Sequence, residues 1–191
     1  MKKRTMALMM AASFFGAAGC SAENVKLQKT ETEPGKVLVA SYSWGGNTRF
    51  AAERIQKLTG GTLFEIKPVK AYPADYGACV EQAKRECRDE FEPELATKVD
   101  DFSKYDVIFV GTPNWWSTMA PPVRSFLSSY DFSGKTVIPF VTHGGSGFSG
   151  TVETIAKLQP RAAVDRNGIS ISRNDVQDCA PDVSEWLKNL K

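Results

Sequence analysis

Short continuous apolar runs alternate along most of this chain with longer stretches in which apolar residues recur every three to four positions. The runs fall at Val37 to Ser41, Leu63 to Lys67, Val107 to Thr112 and Val137 to Thr142, with a weaker one around Ala162 to Ile171. Between them, Ala51, Ile55 and Leu58 share one helical face, as do Val123, Phe126, Leu127 and Tyr130, then Val152, Ile155 and Ala156. Val183, Trp186, Leu187 and Leu190 complete the series with i, i+3, i+4, i+7 spacing. A strand that is apolar throughout, rather than at every second residue, is buried on both faces, and strand–helix alternation supplies the covering layers. The pattern therefore predicts an α/β domain with a five-stranded parallel sheet covered by helices on both faces.

In such a sheet, ligands bind beyond the carboxyl ends of the strands, and here the loops at those ends carry the unusual chemistry. After the first run comes SYSWGGNT, after the third TPNWWSTMAPP and after the fourth THGGSGFSG. The first loop concentrates hydroxyls at Ser41, Ser43 and Thr48, an amide at Asn47 and the pair Gly45-Gly46 at a strand-to-helix junction. Backbone N–H groups and the helix dipole favour an anion at such a junction. The loop lacks the Lys of GxxxxGK[ST] and does not match GxGxxG, which disfavours nucleoside triphosphates and dinucleotides. A small monophosphate held by neutral donors remains. In the second loop, consecutive Trp115 and Trp116 point in different directions, so at least one ring is available to stack on a flat ligand. Pro121 and Pro122 suit the entry to a helix starting around Val123. Tyr72-Pro73-Ala74-Asp75-Tyr76, after the second strand, has two readings: part of a partner or substrate surface near the site, or, preferred here, a turn in which Asp75 is the N-cap of the next helix.

The ends of the chain read differently. Lys2-Lys3-Arg4 followed by the mostly apolar Thr5 to Ala18 makes an export signal, expected over residues 1–19 and too short for a permanent membrane span. Residues 20–35 are polar and aperiodic and read as a flexible tether. The folded domain is expected over residues 36–191. The sequence Ala17-Ala18-Gly19-Cys20 resembles the lipobox of bacterial lipoproteins, which implies acylation of Cys20, a membrane anchor and a place at the cell envelope. Losing three basic residues with the signal takes the net charge from +2 to −1. A nearly neutral chain without a basic run is a poor nucleic-acid binder. Beyond Cys20, Cys79 and Cys87 lie about 12 Å apart along one expected helix, out of disulfide reach, and Cys179 stands alone. With a single His in the chain no metal-site spacing occurs, so these are expected to be small, partly buried thiols.

From Lys36 to Leu190 the chain resembles the flavodoxin-like proteins, through SYSWGGNT as the flavin-phosphate loop, GTPNWW as the isoalloxazine loop and THGGSG as the third ligand loop. The resemblance implies a doubly wound sheet of strand order 2-1-3-4-5 with FMN at its switch point. It implies that Ser41, Ser43, Gly45, Gly46, Asn47 and Thr48 hold the phosphate, and that Thr112, Pro113, Asn114, Trp115 and Trp116 border the flavin ring. His143, Gly144, Gly145 and Ser146 would approach the pyrimidine edge. Trp44 would shield the ribityl chain or cover the loop. His143 has three readings: a loop residue bonded to backbone, a hydrogen-bond or proton donor to the flavin, or a base for Ser146 or Ser149. The third fails GxSxG in both frames.

Function then divides among an electron carrier between redox partners, a flavin-dependent NAD(P)H reductase of quinones or other small acceptors, and a flavin-binding module without turnover. Carriers of this family tend to be strongly acidic, unlike this chain. They often place a Gly beside the flavin whose peptide can flip; no Gly occurs between Thr112 and Pro122, and Asn114 could take the same positive φ at lower cost than a bulky residue, which weakens such a flip without abolishing it.

Overall fold

In the computed structural model, which describes residues 36–190, strand β1 (Val37–Ser41) is an interior strand of a parallel sheet and is buried along its whole length. The expected signal, tether and Cys20 lie outside the described residues. Strand β2 (Thr62–Glu65) pairs with one side of β1, Val39 opposite Leu63, and β3 (Val107–Trp115) with the other, Val39 opposite Phe109. Strand β5 (Thr136–His143) lies beyond β3. The fifth place is shared by two short strands, β6 (Ala163–Val164) and β7 (Ile169–Ser172), both parallel to β5. Counted by place, the order is the expected 2-1-3-4-5.

The split of the fifth strand corrects the single run expected from Ala162 to Ile171, and Pro139 accounts for it. Thr136 N–H bonds toward β3, to Asp106, whereas the carbonyls of Val137 and His143 accept from Asp165 and Arg173 on the outer side. Odd-numbered residues of β5 therefore face outward, and Pro139 has no N–H to offer there. Its position falls between the two outer pairings, and Gly168 approaches its carbonyl so closely that a Cβ at 168 would overlap it.

Alternation along β1 builds two cores. Leu38 and Ala40 face helices α2 (Tyr76–Arg88), α3 (Pro121–Ser128) and α4 (Thr151–Leu158), packing with Phe126, Leu127 and Ile155. Val37 and Val39 face α1 (Asn47–Thr59) and α5 (Ala180–Asn189), packing with Ala51, Ala52, Ile55 and Val183. Each large apolar side chain removed from water in these layers contributes about 1.5–3 kcal/mol before the entropy of ordering it is counted.

Helix boundaries follow local chemistry. The Asp75 carboxylate accepts from Ala78 N–H at 2.8 Å and caps α2 as expected. Helix α3 starts at Pro121, two residues before Val123, because proline at the first positions has no N–H to lose. It ends at Ser128, so Tyr130 packs on the core from outside the helix, where its hydroxyl accepts from Val99 N–H at 2.8 Å. Leu58, in the last turn of α1, is exposed rather than on the buried face. Cys79, Cys87 and Cys179 are free thiols, the first and last buried. No helix among the described residues is long and apolar enough to cross a membrane.

Candidate functional site

The three distinctive loops meet at the carboxyl ends of β1, β3 and β5 and enclose a cavity of about 620 Å³. Ser43, Trp44, Gly45, Asn47 and Thr48 line it from the first loop, Pro113, Asn114 and Trp115 from the second, and His143, Gly144, Gly145 and Ser146 from the third. Thr142, Tyr76 and Arg173 complete the wall. Four other expected residues stand off it. Ser41 and Thr112 are buried in the ends of β1 and β3, Gly46 shapes the turn, and Trp116 projects to the far side of its loop.

The first loop is built for an anion. Gly46 turns the chain into α1 at φ 90°, a conformation costly for residues with a Cβ, and its N-cap position carries no side-chain acceptor. The first-turn N–H groups of α1 thus keep the positive end of the helix open toward the cavity, and no acidic residue in that turn neutralises it. Ser43 Oγ is buried and has no hydrogen-bond partner among the described residues. Thr48 Oγ1 shares a buried 2.7 Å hydrogen bond with Thr142 Oγ1, tying the start of α1 to the end of β5.

The second loop is a hairpin, unforeseen in the sequence. Strand β3 runs on through Trp115 and turns back into β4 (Thr118–Met119), with Trp115 opposite Thr118. The two turn residues, Trp116 and Ser117, have φ of 50° and 65°, the left-handed pair that a two-residue hairpin matching strand twist requires. Asn114, which could take a positive φ at lower cost than a bulky residue, instead lies in the strand opposite Met119. Its side-chain amide donates to Gly147 O at 2.8 Å and Ser149 Oγ at 3.0 Å, joining the second loop to the third.

The two tryptophans diverge as their adjacency requires. Trp115 packs edge-on against Tyr72 and Tyr42, with centroids 4.9 and 5.7 Å away, while presenting itself to the cavity. Trp116 is half exposed; its Nε1 donates to Val80 O at 3.3 Å and Lys84 lies over its ring. Trp44 both lines the cavity and is pinned, its Nε1 donating to Pro73 O at 2.9 Å. Behind Trp44 and Trp115, a second cleft of about 330 Å³ opens between the hairpin and α2, lined by Tyr76, Cys79, Val80, Ala83 and Trp116. Deeper still, burial raises the phenols of Tyr42 and Tyr72, and Tyr72 is pushed further by Glu86, to which its hydroxyl donates.

In the third loop, His143 Nδ1 accepts from Gly145 N–H at 3.0 Å, so the neutral imidazole carries its proton on Nε2. Ser149 Oγ donates to Ser146 O at 3.0 Å, and among the described residues no serine bonds to His143, which removes the hydrolase arrangement. Among the described residues no cluster of His, Cys, Asp or Glu could hold a metal ion.

Sequence reasoning missed Thr142 and Arg173 as wall residues, whereas Tyr76 ends the segment whose alternative reading is a surface near the site. Arg173 follows the end of β7, where a strand-end loop belongs to the site by the same rule that singled out the others. Drawing the last strand from 162 to 171 without its break hid that position.

Comparison with known proteins agrees with this geometry. No curated protein shows a significant match to the chain. Among solved structures, a protein of Bacteroides uniformis named as a candidate flavoprotein is 32% identical, matching 82% of this chain and 100% of its own with a TM-score of 0.73. A second of that description, from Bacteroides eggerthii, is 26% identical over 78% of this chain and 98% of its own, with a TM-score of 0.65. A flavoprotein of Lactobacillus acidophilus solved in complex with FMN is 25% identical over 75% of this chain and 97% of its own, with a TM-score of 0.61. The family model described as Flavodoxin matches residues 36–190, the whole span of the sheet, its helices and the three loops, and the chain belongs to the flavodoxin family.

Proposed function

We propose that this chain is an FMN-binding redox protein, exported and tethered to the cell envelope through an acylated Cys20, that passes electrons between partners. The observation that carries the reading is the anion cradle opening into a cavity large enough for a flavin: Ser43 Oγ buried without a partner, beside the uncapped N-terminus of α1. The donor set fits a phosphate ester, with Ser43, Asn47 and Thr48 at that end. Pro113, Asn114 and Trp115 would border the ring on one side and His143, Gly144, Gly145 and Ser146 on the other. When bound, FMN supplies the electron-transfer chemistry, and the protein binds, orients and shields it. His143 Nε2–H is free to donate a hydrogen bond toward the cavity it lines. The FMN complex of the Lactobacillus acidophilus protein supports the choice of ligand.

The second cleft favours a second reading. Its apolar and aromatic lining, sharing Trp44, Tyr76, Asn114 and Trp115 with the main cavity, suits a small flat acceptor reduced directly, as a flavin-dependent NAD(P)H reductase would require. The visible spectrum of the purified protein after incubation with FMN and removal of the excess separates these readings. A retained flavin band bleached by dithionite but not by NADPH supports the carrier. Bleaching by NADPH alone supports the reductase, and no retained flavin refutes both.

A further inference from the structure

The first loop offers a phosphate dianion neutral donors alone, as its sequence requires, yet the assembled cavity contains a guanidinium. Arg173 stands one residue past β7, where its backbone N–H donates to His143 O at 2.8 Å and places it beside Gly144. Its side chain folds back over that glycine: a Cβ added at 144 would meet Cζ, Nε and Nη1 at 3.7–3.8 Å. These are ordinary van der Waals distances, so the guanidinium rests directly against the Gly144 backbone. Among the described residues Arg173 makes no ion pair within 4 Å, and its side chain has no hydrogen-bond partner.

From these contacts we infer that Arg173 is a phosphate-binding residue, pairing with the FMN phosphate in the cavity that it lines. The inference rests on the flavin reading above. The Thr48–Thr142 hydrogen bond brings the N-terminus of α1 to the end of β5, and Gly144, on which the guanidinium rests, is two residues beyond Thr142. The anion cradle and the free cation thus share one strand end. A guanidinium presents a planar fork of N–H donors that fits phosphate oxygens, and its charge completes what the helix dipole and the Ser43 hydroxyl begin. Arg49 serves as the contrast, since it lies in the first turn of α1 but does not line the cavity.

The test is equilibrium binding of FMN and of riboflavin, which lacks the phosphate, to the flavin-stripped chain and to Arg173→Ala, Arg173→Lys and Arg49→Ala. Loss of a charge-assisted bond predicts FMN affinity about ten- to a hundredfold weaker in Arg173→Ala. Riboflavin affinity is unchanged, which also shows that the variant is folded. Arg173→Lys recovers part of the loss, Arg49→Ala changes little, and added salt weakens FMN binding more in the parent than in Arg173→Ala. Equal FMN affinity in parent and Arg173→Ala overturns the inference while leaving the flavin reading intact. An equal loss for FMN and riboflavin also overturns it, because the guanidinium would then act on the ring or the fold. A parent chain that binds neither ligand refutes the flavin reading, and this inference with it.

Discussion

Replacing Ser43 by alanine should stabilise the protein and weaken its site at the same time. In the structure Ser43 Oγ is buried and finds no partner, a state that costs a hydroxyl about 1–3 kcal/mol. Alanine removes the unsatisfied group and vacates the space of a single oxygen. Taking the lower end of the range to allow for lost packing, the flavin-free protein gains about 1 kcal/mol, which raises Tm by about 2–4 °C for a domain of this size. The same hydroxyl is positioned to donate to a phosphate, and a neutral donor to a charged acceptor is worth about 1.5–3 kcal/mol, so FMN affinity should fall at least tenfold. Thermal melts of flavin-stripped parent and Ser43→Ala, followed by far-UV circular dichroism, measure the first effect. Titration of FMN fluorescence measures the second. A variant that melts lower than the parent without flavin, or that binds FMN as tightly, would show that the buried hydroxyl is not held in reserve for a ligand.

Three further outcomes are expected. Asp75→Ala removes the cap of α2 and should cost about 0.5–2 kcal/mol, read as a lower urea midpoint at unchanged m-value; an unmoved midpoint contradicts the capping bond. Asn114→Ala cuts both side-chain ties between the second and third loops and leaves the backbone bond from Gly150 N–H to Ser117 O, so amide exchange at Gly144 to Ser149 should accelerate, and protection equal to the parent's would argue that the side-chain bonds hold nothing. Stability should also decline in alkali. Burial, with Glu86 adding to it, pushes the Cys87 thiol up to about 11, and burial likewise raises Tyr42 and Tyr72. Because these groups hold their protons more tightly folded than unfolded, the thiol's contribution is complete below its ordinary value of about 8.5 and is lost as pH rises toward 11, and the phenols' contribution begins to be lost only above about 10. Each contributes a slope of at most about 1.4 kcal/mol per pH unit, and a Tm that is flat from pH 8 to 10.5 would refute the assignment.

The central sheet was legible because β1, β3 and β5 are apolar without interruption and end in loops of opposite character, which fixed both their existence and the side on which a ligand sits. The three loops were legible for the same reason, since hydroxyls, glycines and tryptophans concentrate where the sheet can use them. The hairpin at Trp116-Ser117 was not, because neither residue favours positive φ and the turn is held by the pairing of β3 with β4 rather than by local preference. The break in the fifth strand required knowing that Pro139 faces outward, which depends on register. Arg173 stayed hidden behind that break: a lone arginine after a weak strand carries no signal until the strand end is placed.

The same break gives this protein a place to carry something new. Past the bond from Asp165 N–H to Val137 O, no ladder bond is made by residues 166–168, while β7 is held to β5 by four register pairs of its own, from Ile169 to Ser172. Residues inserted between Arg166 and Asn167, both exposed, would lengthen a surface turn without sliding the sheet. The ties at stake are the Asn167 N–H bond to Asp165 Oδ1, the Trp186 Nε1 bond to Asn167 O and the Arg166–Glu153 ion pair, none of which fixes the position of Arg173. An epitope or a fluorescent reporter spliced there would give a tagged protein whose flavin cavity is the parent's.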